Sequence, residues 1–149
     1  MSNIAQMKTP QPRILCVDSD RNTIEWIRNV LKNNHISTSI KSAVAGRDAF
    51  TLLNRGEFDL CIFDYALPDM TGAQLCSLVR YMGCEVSMMI LTAMDRPVDR
   101  RRATECGADA FLVKPDDLDM FCSTVVRLLD RRRPVNVPYS NVLGLSKAA

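Results

Sequence analysis

The chain has 149 residues, with 19 Lys and Arg against 17 Asp and Glu, and is 47% hydrophobic, so its formal net charge is only +2. That length suits one globular domain with an ordinary core and leaves little room for a second. Charges of both signs are mixed along the chain, so the net charge by itself says nothing about nucleic acid. The first thirteen residues lack the apolar stretch of a signal peptide, and no run approaches the roughly 18 apolar residues of a membrane span, so the cytoplasm is the expected compartment and no membrane partner is expected.

Pro10 and Pro12 mark a loose leader over residues 1–12, after which residues 13–17 read as a short buried strand ending on Asp18. Ser19 and Asp20 are good helix N-caps, and Ile24, Ile27, Val30 and Leu31 then recur at helical spacing until Asn33, Asn34 and His35. Residues 37–42 are polar and alternating, as in a weaker strand nearer a sheet edge. A second helix is expected over 46–54, with Ala49, Phe50, Leu52 and Leu53, stopped by Arg55 and Gly56.

Apart from Asp59, residues 58–63 are apolar without helical period, the mark of a central parallel strand covered on both faces. Leu75, Leu78, Val79 and Met82 place a third helix over 74–82. Residues 86–91 form the fourth strand, residues 98–106 an arginine-rich helix opened by Pro97 and closed by Gly107, and residues 110–113 the fifth strand. A last helix is expected over 116–130, with Leu118, Phe121, Val125 and Leu128 or Leu129 inward. Arg131, Arg132, Arg133 and Pro134 then end the periodicity, so the folded domain is bounded at 13–131 and residues 132–149 read as a tail or linker stub. Five strands alternating with five helices predict a doubly wound parallel α/β sheet.

Six cysteines, at 16, 61, 76, 84, 106 and 122, contain no C-x-x-C pair, and His35 is the single histidine. Several lie inside apolar runs, where Cys behaves as a small hydrophobe, so reduced thiols are expected.

The chemistry gathers at strand ends. Asp64 closes the apolar third strand and opens the turn containing Pro68 and Gly72, and open α/β sheets place their sites along that edge. Asp18, Thr92 and Lys114 end three other strands. Together they point to a carboxylate nucleophile with a metal, a hydroxyl and a cation around it.

In these motifs the chain resembles the receiver domains of two-component response regulators, over roughly residues 13–130. Asp18 matches the first residue of the family's acidic pair, Asp64 the phosphoacceptor, Pro68 and Gly72 the turn after it. Thr92 and Ala93 match the switch hydroxyl and its small neighbour, and Lys114 with Pro115 the invariant lysine pair. Phe111 falls where the family carries its rotating aromatic, and Gly107, Ala108 and Asp109 match the turn before the last strand.

The resemblance implies a flavodoxin-like sheet with strand order 2-1-3-4-5. It also implies Mg²⁺ or Mn²⁺ held by Asp18, Asp64 and the backbone carbonyl of Ala66, with Thr92 and Lys114 on the phosphoryl oxygens. The implied donor is a sensor histidine kinase or a phosphotransfer protein. The implied output face is that of the fourth helix, fifth strand and fifth helix, read by a downstream protein rather than directly by nucleic acid; between residues 95 and 133, nine basic residues stand against eight acidic ones, as on an ion-paired surface. A homodimer remains an open alternative to the monomer.

Three departures qualify the match. Ser19 replaces the second acid of the pair, so metal binding is expected to weaken, with Ser19 holding the ion through a water, while Asp20 is better placed to cap the first helix. Ala66 and Met94, at the family's variable positions, have no group to orient an attacking water, which implies slow loss of the phosphoryl group. Beyond its own phosphorylation and dephosphorylation the domain is not expected to be an enzyme; a haloacid-dehalogenase-type phosphatase would need an acid at position 66. A pseudo-receiver that no longer responds to phosphorylation, and a receiver excised from a DNA-binding regulator, remain alternatives.

Overall fold

The computed structural model describes residues 10–131, so the expected tail and most of the leader lie outside the described residues. Its elements in chain order are β1 (Arg13–Val17), α1 (Arg21–Asn33), β2 (Ser39–Ala43), α2 (Gly46–Arg55), β3 (Leu60–Phe63), α3 (Gly72–Tyr81), β4 (Ser87–Thr92), α4 (Pro97–Glu105), β5 (Ala110–Val113) and α5 (Phe121–Asp130). The five strands pair in parallel in the order β2-β1-β3-β4-β5, the expected sheet.

Alternation along the strands divides the core in two. Leu15 and Val17 on β1, Cys61 and Phe63 on β3, and Met88 and Ile90 on β4 pack against α2, α3 and α4 through Ala49, Leu53, Leu75, Cys76, Val79 and Ala103. Their neighbours Ile14, Cys16, Leu60, Ile62, Met89 and Leu91 face α1 and α5, meeting Ile24, Ile27, Leu31, Phe121, Val125 and Leu128. Both faces of the central strands are therefore buried, which is why their sequences carry no polar alternation. Trp26 and Phe121 close the α1–α5 seam with ring centroids 5.0 Å apart. The edge strand β2 buries only Ala43, in keeping with its polar pattern.

Helix starts follow their caps. Asp20 caps α1, its carboxylate accepting from the Asn22 N–H at 2.9 Å. Thr71 and Gln74 form a reciprocal capping box, so α3 begins at Gly72 rather than at the expected residue 74. The largest correction concerns the last helix. Instead of running continuously from 116, the chain makes a 3₁₀ turn at Leu118–Met120 before α5 begins at Phe121. Asp117 is the cause: its backbone N–H donates to the Val113 carbonyl at 2.8 Å and its carboxylate accepts from the Val113 N–H at 2.9 Å, which folds residues 114–117 back onto β5. The expected inward residues survive the change, with Phe121, Val125, Leu128 and Leu129 buried and Leu118 packed against them.

All six cysteines are free thiols, Cys16, Cys61 and Cys76 buried and the other three partly exposed. No described helix is long and apolar enough to cross a membrane.

Candidate functional site at the carboxyl edge of the sheet

Pairing continues one residue past the strands. The Asp18 N–H donates to the Ala43 carbonyl at 3.1 Å, the Asp64 N–H to Val17 at 2.8 Å and the Lys114 N–H to Thr92 at 2.8 Å. These bonds hold Asp18, Asp64 and Lys114 in register beside Thr92, the last residue of β4, so the sheet itself brings four separated residues to one edge.

Asp18 is buried, 4% exposed. One of its carboxylate oxygens accepts from the Asp20 N–H at 2.8 Å, and the other lies 3.5 Å from Lys114 Nζ. Lys114 Nζ also donates to Thr23 Oγ1 on α1 at 3.3 Å. Half-buried Asp64 has its carboxyl pushed above the usual carboxylate range, by burial first and by the Asp18 charge second; the Thr92 hydroxyl, the Lys114 ammonium and the Tyr65 N–H pull it partly back. The pocket is thus a like-charge pair that one lysine does not fully neutralise. Among the described residues no three His, Cys, Asp or Glu side chains cluster to hold a metal. Two carboxylates carrying uncompensated negative charge nevertheless fit a hard divalent cation that keeps most of its waters.

Ser19 is exposed, and the Asp20 carboxylate is turned to the helix end instead of the pocket. Ala66 is exposed and bridges to Thr71 across the loop that follows β3. Gly72 lies against that strand end: its N–H donates to the Tyr65 carbonyl at 2.7 Å, and a Cβ there would run into the Asp64 backbone carbonyl. Thr92 Oγ1 accepts from the Met94 N–H at 3.2 Å. Phe111 is half-buried, with the Arg100 guanidinium stacked 4.9 Å from its ring centroid. Asp18, Asp64, Thr92 and Lys114 are therefore together, Ser19 and Ala66 stand at the rim, and Phe111 lies in the α4 layer, opposite Ile90 in the β4–β5 register.

Thr23, Tyr65 and Asp99 complete the surroundings, the first two without any sequence signal. Thr23 meets Lys114 only through the fold. Tyr65 is buried beside Asp99 without a well-formed hydrogen bond from its hydroxyl. Asp99, fully inaccessible, is gripped by Arg96 at 2.6 and 3.0 Å, which holds its carboxyl below the usual range. This last pair was readable, since its members lie three residues apart around Pro97.

Residues 14–126 match the family model described as the response regulator receiver domain. The chain is 33% identical over 121 residues to the transcriptional regulatory protein PcoR of Escherichia coli, covering 81% of this chain and 53% of PcoR. It is 31% identical over 134 residues to the response regulator MprA of Mycobacterium leprae, covering 90% of this chain and 58% of MprA. It thus spans a little over half the length of these curated relatives. Among solved structures, the receiver domain of the Francisella response regulator 1452 superposes with a TM-score of 0.73 at 25% identity, covering 81% of this chain and 98% of that one. A CheY-like receiver from Methanospirillum hungatei JF-1, at 22% identity, shares the fold with a TM-score of 0.73, covering 80% and 94%. The chain belongs to the response regulator receiver domain family.

Proposed function

We propose that this receiver is a phosphorylation-controlled switch in which Asp64 accepts a phosphoryl group from the phosphohistidine of a sensor kinase or phosphotransfer protein. The supporting observation is the state of the Asp64 carboxyl, raised by burial and by Asp18 while Thr92 and Lys114 draw it down. A site with surplus negative charge and one cation is suited to receive a dianionic group only when a further positive charge enters. Asp18, Asp64 and the Ala66 carbonyl would hold Mg²⁺ or Mn²⁺, with Ser19 bound through a water, and the ion when bound supplies charge neutralisation over the phosphoryl oxygens.

The residues of the chain then have distinct tasks. An Asp64 oxygen attacks phosphorus in line as the P–N bond of the donor breaks and the imidazole keeps the electron pair. The Lys114 ammonium, held by Asp18 and Thr23, turns to one phosphoryl oxygen. The Thr92 hydroxyl meets another, giving up the Met94 N–H. That shift draws on the β4–α4 connection, and through Phe111 and its Arg100 partner the change reaches the α4–β5–α5 face that a downstream protein reads. Ala66 and Met94 offer no polar group to a hydrolytic water, so the acyl phosphate is long-lived. The proposed place of action is the cytoplasm.

A second reading, that the chain is the receiver part of a longer transcription regulator, is favoured by the greater length of its curated relatives and by the name of PcoR. Intact mass after incubation with Mg²⁺ and a small phosphodonor tests the switch itself. The wild type is expected to gain about 80 Da, one phosphoryl group, and Asp64→Asn nothing. Equal labelling of both proteins would move the site elsewhere, and labelling of neither would make the domain a pseudo-receiver.

A further inference from the structure

Four residues of α1 are buried against the core, and three of them, Ile24, Ile27 and Leu31, are aliphatic; the fourth is Thr23. A hydroxyl on a buried helix stripe costs stability unless it is hydrogen-bonded. Its partner lies 91 residues away, where Lys114 Nζ donates to Thr23 Oγ1 at 3.3 Å. We propose that Thr23 is a positioning residue for Lys114: it restrains the ammonium on the α1 side of the pocket while Asp64 is unmodified, and so sets how readily Asp64 takes up a phosphoryl group. This role presupposes that Asp64 is the phosphoacceptor proposed above.

The base of the Lys114 side chain is fixed, since its backbone N–H donates to the Thr92 carbonyl at 2.8 Å, so only the tip can exchange one acceptor for another. That tip is held on the far side. It lies 3.3 Å from Thr23 Oγ1 and 3.5 Å from Asp18, and among the described residues it donates to no third oxygen, Asp64 included. The gap that Thr23 shares with Asp18, Asp64, Ile62 and Leu91 has no room for a water molecule, so on that side the ammonium and not solvent serves the hydroxyl. Nor does the hydroxyl have a task at the start of the helix. Asp20 caps α1 through the Asn22 N–H, and Thr23 contributes there only its backbone N–H, which donates to the Asp20 carbonyl at 3.2 Å.

The direction of the effect follows from which state holds the bond. A phosphoryl group arriving on Asp64 draws the ammonium across the pocket, so the bond to Thr23 is made before transfer and given up during it. An interaction stronger in the ground state than in the transition state slows the step. Removing the hydroxyl should therefore speed phosphorylation by about fivefold, the rate equivalent of roughly 1 kcal/mol for one hydrogen bond.

The test follows the gain of about 80 Da in the full chain with acetyl phosphate at saturating Mg²⁺, a reaction in which an Asp64 oxygen attacks phosphorus and acetate leaves with the P–O electron pair. Thr23→Val keeps the β-branched shape without the hydroxyl and is expected to be labelled about fivefold faster. Thr23→Ser restores a hydroxyl and should return the wild-type rate. Urea unfolding of Thr23→Val, Lys114→Met and the double variant supplies a readout independent of labelling: the double variant should lose less stability than the two single losses combined, because both remove the same bond. A valine variant labelled at the wild-type rate or more slowly, or stability losses that add in full, would each overturn the restraint while leaving the phosphoacceptor in place. A wild type that gains no mass would remove the phosphoacceptor reading, and the restraint with it.

Discussion

The two edges of the sheet handle charge in opposite ways. Where β4 and β5 begin, the Arg80 guanidinium of α3 donates to the carbonyls of Cys84 at 2.9 Å, Val86 at 2.7 Å and Gly107 at 3.0 and 3.3 Å, and to Asp109 at 3.1 Å. All five of its N–H groups are used. The same Asp109 oxygen accepts from the Met88 N–H at 2.8 Å, and Asp109 returns its own N–H to the Met88 carbonyl at 2.7 Å. Where the strands end, Asp18 and Asp64 repel one another across a pocket in which Lys114 approaches Asp18 only to 3.5 Å. The closed network fixes two loops and a helix against the sheet. The open one leaves two carboxylates facing a single ammonium, the imbalance on which the proposed cation and phosphoryl group would act.

The contrast is sharpest where it is broken at the closed edge. Arg80→Ala strands three carbonyls and one carboxylate, and should cost about 3 kcal/mol, the upper end for hydrogen bonds involving charge. Urea unfolding checks this through a lower midpoint with an unchanged slope; a loss below that of an ordinary surface change would show that the network is redundant. Gly72→Ala comes next. Its methyl group meets the Asp64 carbonyl, so the strand end must move, at about 2 kcal/mol for overpacking against backbone. The same variant should also phosphorylate more slowly, measured by the rate of the 80 Da gain.

At the open edge, effects should be smaller in stability and larger in binding. Ser19→Asp adds a carboxylate to a pocket now counting two against one lysine, and should tighten Mg²⁺ about tenfold, or roughly 1.4 kcal/mol, in a metal titration. Unchanged affinity would show that another group compensates for the serine. Asp64→Asn should gain stability, the smallest effect. Because the folded carboxyl is raised, the native state holds its proton more tightly than the unfolded chain, so wild-type stability falls as pH rises from the ordinary carboxylate value through the raised one. At neutral pH the variant should therefore melt a few degrees higher, and the gain should vanish on acidification below the ordinary carboxylate range. A gain independent of pH would locate its origin outside the titration.

How much of this was legible depended on whether the cause was local. The buried central strands announced themselves through uninterrupted apolar runs, and Asp18, Asp64, Thr92 and Lys114 stood out because each ends such a run. The 3₁₀ turn before α5 was hidden, since Asp117 acts there through a bond back to Val113 that no periodicity encodes. Nothing in the local sequence sets Arg80 apart from any other arginine on an amphipathic helix. Its importance arises from carbonyls and a carboxylate 4 to 29 residues away in sequence, which converge only once β4 and β5 pair. Thr23 and Tyr65 were silent for the same reason: one is an ordinary residue in the first turn of α1, the other one residue past an obvious acid, and tertiary packing gives each its neighbours.

Asp69 carries a consequence for engineering. The helix α2 begins on Ala45, which has no side chain able to cap it, and the missing acceptor comes from the loop after β3: Asp69 takes the Gly46 N–H at 2.8 Å and the Arg47 N–H at 2.9 Å. Met70, from the same loop, fills the space above Gly46 that a larger residue would need. Residues 65–71 are consequently not a detachable module. A chimera that imports this loop from another receiver, in order to change the lifetime of the modified state, would uncap α2 unless residues 45–47 travelled with it. The natural unit of exchange is the pair of segments, joined by one carboxylate.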